Sequence, residues 1–170
     1  MENKDDVQRK IRKYRNTLYT LGNGMIALGL WSIVQIILMI LNSPEMFFPA
    51  DMETQADSPV IMGITVVFVI MIIALIFGIF GFAGSGARAE GLGKKRSPLY
   101  IVATVLLLFV HIVSVVFYLF SLFSDTITES SLINIIVTIT VNVTVAVVMA
   151  ELVHAAVTIR KYERNAVKEK

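Results

Sequence analysis

Glu151 and His154 stand three residues apart, the Glu-x-x-His spacing that sets two metal ligands on one face of a helix. A di-iron carboxylate site needs two such motifs and two further glutamates, and this chain holds one motif. The pair could instead exchange a proton, since an imidazole titrates near neutral pH and the carboxylate lies one turn away. His111 is the other histidine of the chain and could titrate in the same way. A haem between the two histidines would need them at similar depth, yet they differ by about six residues in depth along their helices, roughly 9 Å. Gly93-Lys94 superficially suits a phosphate loop, but Arg88 stands where the first glycine is required and Lys95 where Ser or Thr is required. The chain has no cysteine, which excludes disulfides, thiolate metal sites, iron–sulfur ligation and cysteine nucleophiles. With no nucleophile–base pair either, the expectation is a protein with no catalytic residues, no metal and no cofactor, which does not bind nucleic acid.

The elements that position these residues are set by composition. Of 170 residues, 56% are hydrophobic and 16% charged, with mean hydropathy +0.75. Soluble domains are roughly 45–50% apolar and about 25% charged, and one compact core could not hide this excess from water. Four stretches approach or exceed the roughly 20 apolar residues that a bilayer core of about 30 Å requires: 18–41, 60–83, 99–123 and 132–157. The expected fold is therefore an all-α integral membrane protein, a bundle of four transmembrane helices spanning 18–157. A basic amphipathic segment (1–17) precedes it and a basic tail (158–170) follows. The first apolar run exceeds the 7–15 residues of a leader peptide and no small-residue cleavage site follows it, so it is read as a retained span.

All 15 basic residues lie before the first span, between the second and third, or after the fourth. The other two loops carry Glu45, Asp51, Glu53 and Asp57, then Asp125 and Glu129. The positive-inside rule then predicts a multi-pass protein of the cell membrane with both termini cytoplasmic. Arg9, Lys10, Arg12, Lys13 and Arg15, with Lys94, Lys95 and Arg96, are the candidates for contact with anionic inner-leaflet headgroups. Val7, Ile11, Tyr14 and Leu18 recur at helical spacing, so the leading segment either lies on the leaflet or runs straight into the first span. Gly84-Ser85-Gly86 reads as a flexible exit from span two, opening a basic connector that reaches Pro98.

Polar residues inside lipid are costly unless they face protein or water. On span three, Tyr100, Thr104, His111, Ser114, Tyr118, Ser121 and Asp125 share an arc of about 100°, and this stripe is expected to face the other helices. Span four has two polar sides: Asn134, Thr138 and Asn142 on one, Thr140, Thr144, Glu151 and His154 on the other. Such a helix is either central in the bundle or in contact with another subunit. Thr20, Asn23, Thr104, Glu151 and His154 fall at similar depth and could form one polar layer. The candidate polar pathway comprises His111, Ser114, Tyr118, Thr104, Glu151, His154 and Asn142. Span two offers a small-residue ridge, Ala74, Gly78, Gly81 and Ser85, suited to close helix packing within the chain or with another.

The topology resembles that of four-span families with both ends inside, such as tetraspanins and claudins, but the outer-loop cysteines of those families are absent. The expected function is a small scaffold, accessory or regulatory subunit acting through helix contacts with a membrane partner or further copies of itself. The alternative is a small ion or proton channel or transporter whose path follows span three.

Overall fold

The computed structural model describes residues 4–42, 58–95, 97–123 and 129–168. Among them there are four helices and no strand: α1 (Lys4–Asn42), α2 (Ser58–Gly91), α3 (Leu99–Ser121) and α4 (Glu129–Lys168). Each is long and apolar enough to cross a membrane, over Asp6–Asn42, Gly63–Gly91, Leu99–Ser121 and Leu132–Asn165. The helices pack in ring order, α1 beside α2 and α4, α3 beside α2 and α4, while α2 and α4 also touch across the diagonal. The acidic loop around Asp51 and the one containing Asp125 lie outside the described residues, as does Arg96.

The two longest helices far exceed the thickness of a bilayer core, about 30 Å. At about 1.5 Å per residue, the 39 residues of α1 and the 40 of α4 extend to about 60 Å. Of the two courses open to the leading basic segment, it takes the second: from Lys4 onward it is the same rod as the first span. Gly84-Ser85-Gly86, expected as a flexible exit, does not end α2. The helix carries on through these residues to Gly91, and only 92–98 connect it to α3. Packing holds these glycines helical, since they face neighbouring helices rather than water.

The buried residues fall between 18 and 29 in α1, 80 and 90 in α2, 100 and 104 in α3, and 145 and 159 in α4. All belong to the half of the bundle nearer the basic residues; among the described residues of the opposite half none is buried. Lipid tails are as apolar as leucine, so helices in a membrane associate through close packing rather than expulsion of water. The basic half supplies the small residues this needs. A Cβ added at Gly22 would stand 2.7 Å from the Gly84 carbonyl, and one at Gly84 would stand 2.6 Å from the Gly22 carbonyl. Gly91 lies equally close to the backbone of Arg15 and Tyr19, and Gly86 to the Tyr100 ring. In the opposite half, Val60, Ile64, Phe117, Phe120 and Ile133 are exposed and hold no such seam.

Candidate functional site

The close α1–α2 approach carries Glu90, in the last turn of α2, into the interior. It is 8% exposed, and Tyr100, in the first turn of α3, is 1% exposed. Tyr100 donates its hydroxyl to Glu90 Oε2 at 2.9 Å. From α4, Arg160 donates Nε to Oε1 at 2.9 Å and Nη2 to Oε2 at 2.6 Å. This two-pronged guanidinium–carboxylate geometry is the strong form of the ion pair. The Arg160 guanidinium also stands 5.8 Å from the Tyr100 ring centre. Three helices are thereby tied at one point, across the diagonal that α2 and α4 otherwise barely bridge.

The sequence pattern hides this cluster, because Gly84-Ser85-Gly86 reads as an exit that places Glu90 in a flexible connector. A signal was present: Gly22 and Gly29 on α1 and Gly84 and Gly91 on α2 are both spaced by seven, which marks two matching faces and prolongs α2 past Glu90.

The predicted pathway residues disperse. Thr104 is buried and donates to the Tyr100 carbonyl at 2.8 Å. His111 and Ser114 are half-buried, with the His111 ring 6.2 Å from Phe80. Tyr118 is exposed, because α3 emerges as the bundle opens, and Asp125 lies outside the described residues. On α4, Asn142 is half-buried and donates to the Thr138 carbonyl at 2.9 Å. Thr138, Thr140, Thr144 and Ser121 likewise bond carbonyls of their own helices, which satisfies a hydroxyl in lipid without a partner helix.

Glu151 and His154 are exposed, and so are Thr20 and Asn23, whereas Thr104 is buried. The single polar layer expected from matching depths does not form, since equal depth leaves direction open. Of the two polar sides of α4, Asn142 and Thr138 are half-buried and Asn134 is exposed, while Thr140, Thr144, Glu151 and His154 look outward. The His154 ring meets Tyr14 of α1 edge-on at 6.1 Å.

The ridge of α2 also faces away from the bundle. Ala74, Gly78 and Ser85 are exposed and Gly81 half-exposed, and a Cβ added at Gly78 or Gly81 would meet nothing within 4 Å. By helical arithmetic the ridge lies roughly opposite Phe80, Ala83 and Ala87, the face that packs. Gly63, equally unopposed, extends the same stripe toward the other end of the helix.

Of the basic residues, Arg15 pairs with Glu163 at 2.7 Å, tying the basic end of α1 to that of α4. Arg88 lies 5.6 Å over the Tyr19 ring. Arg9, Lys10, Arg12, Lys13, Lys94 and Lys95 are exposed around the same end of the bundle. Among the described residues no three His, Asp or Glu side chains come together as a metal ligand set. Compared with known proteins, the chain matches no family model, no curated protein and no solved structure.

Proposed function

We propose that this chain is a multi-pass protein of the cell membrane, both termini cytoplasmic, acting without catalysis of its own as a scaffold, accessory or regulatory subunit through contacts between its helices and those of a membrane partner or further copies. The observation that carries this reading is the uncovered small-residue stripe of α2. In the same helix, glycines and alanines on the opposite face are the residues that let α1 approach. A second small-residue face with nothing against it has the form of another helix seat. The orientation rests on the collection of basic residues at one end of the bundle, where anionic inner-leaflet lipids would gather around Arg9, Lys10, Arg12, Lys13, Lys94 and Lys95.

Transport along α3 has less support. Thr104, Ser121, Thr138, Thr140 and Thr144 already bond their own backbones, and the His111 ring stands 6.2 Å from that of Phe80.

A photocrosslinking residue placed at Gly78 or Gly81 in native membranes tests the proposal. Discrete protein adducts, lost when Ala74 is enlarged to Leu, are the expected result. Lipid adducts alone at both positions would overturn the helix-seat reading.

A further inference from the structure

α4 carries two seams with one repeat. Val141, Val145, Val148, Leu152, Ala155 and Ile159 follow steps of four and three residues and line the core. Val137, Thr140, Thr144, Val147, Glu151 and His154 follow steps of three and four on the adjoining flank, about 90° round the helix, and every one of them is exposed. A seven-residue repeat is the pattern by which two helices wind left-handedly around each other. One seam is occupied by this chain's own helices, and the other is exposed, touched by this chain at the edge contact of His154 with Tyr14.

The exposed seam has a chemistry of its own. Thr140 and Thr144 turn their hydroxyls onto the carbonyls of Ile136 and Thr140, so each is already satisfied. Glu151 makes no hydrogen bond or ion pair with the described residues. It stands nine residues, about 13 Å, inward of Arg160, well inside an apolar span and facing outward. A carboxylate at that depth is expensive to leave in lipid and needs a partner. One turn away on the same seam, His154 presents its imidazole with the Tyr14 edge as its one ring contact among the described residues.

We propose that the outer seam of α4 binds a second copy of this chain, forming a two-fold dimer in which each Glu151 pairs with the partner's His154. This rests on the helix-contact reading above and names its occupant. Two copies inserted with the same topology can be related by a two-fold axis along the membrane normal, which brings the seam against itself at equal height. Glu151 then lies one turn, about 4.5 Å in height, from the partner's His154. Two carboxylates and two imidazoles form two charge-assisted pairs with none left over. A different protein would have to bring a basic group of its own to this depth, whereas a second copy already does.

The test uses the full chain in liposomes, with donor- and acceptor-labelled copies and energy transfer followed as lipid dilutes the protein. The wild type should show reversible dimerisation. Glu151→Ala and His154→Ala each remove both pairs from their homodimers; at about threefold per pair, each should associate about tenfold more weakly. Mixing the two variants restores one pair, Glu151 of one copy with His154 of the other. The mixed dimer should therefore be about threefold tighter than either homodimer, which a misfolded variant could not produce. A wild type that stays monomeric at every dilution would overturn the proposal. So would variants that dimerise as well as wild type, or a mixture no tighter than its components. Undiminished variant dimers would still leave the α2 stripe as a helix seat, whereas absence of both dimer and Gly78 adducts would remove the broader reading too.

Discussion

Replacing Glu90 by Ala should be the most damaging single change at the basic end of the bundle. Glu90 accepts the Tyr100 hydroxyl and two bonds from Arg160. The substitution leaves a buried phenol without its acceptor and a guanidinium without its carboxylate. Removing one partner of a buried ion pair costs about 3–5 kcal/mol, because the remaining charge has lost its neutraliser in a low dielectric. The Arg160 side chain is 31% exposed, so solvent softens part of that loss and the lower end, about 3 kcal/mol, is the expected value here. At 1.4 kcal/mol per decade this is more than a hundredfold in the folding equilibrium. Reversible unfolding in mixed micelles, followed by helical circular dichroism, reads it directly. The companion variant carries Glu90→Leu, Tyr100→Phe and Arg160→Met together. With every polar member gone and volume roughly kept, it should recover to within about 1 kcal/mol of wild type. Glu90→Ala within about 0.5 kcal/mol of wild type would show that the cluster is not what joins α2 to α4. A triple variant as unstable as the single one would show that packing, not the stranded charge, accounts for the loss.

Gly84→Leu and Gly78→Leu form a matched pair: the first drives a side chain into the Gly22 carbonyl and should cost about 1–3 kcal/mol, the second enters open space and should leave unfolding unchanged. Breaking Arg15 and Glu163, both well exposed, should change stability by less than about 1 kcal/mol, an effect that a double-mutant cycle at low and high salt would resolve. Because the chain lacks cysteine, single cysteines at Asp6 and Thr126 report topology cleanly. An impermeant maleimide should label the second in intact cells and the first only after permeabilisation, and the reverse pattern would invert the proposed orientation. Liposomes holding the wild type should pass protons and cations no faster than empty ones, with His111→Ala and Glu151→Gln indistinguishable from it; flux lost in either variant would favour the transport reading.

The four apolar stretches, and the gathering of every basic residue at one end, are legible from the sequence because hydropathy and charge are local properties read along one strand of text. Direction around each helix is a different matter. In water an apolar face marks the inside, but in lipid both the packed and the lipid-facing sides are apolar, so periodicity cannot say which looks inward. The two polar sides of α4 and the small-residue ridge of α2 were visible as patterns; only packing turned Glu151, His154, Gly78 and Gly81 outward and placed Thr138 and Asn142 toward the other helices. The Glu90 cluster depended most on tertiary structure. Its members come from three helices, and Glu90 sits in a helix whose Gly84 and Gly91 meet α1 backbone to backbone; the matched glycine spacings hint at two faces, but which faces meet, between residues some seventy positions apart, is decided only by packing.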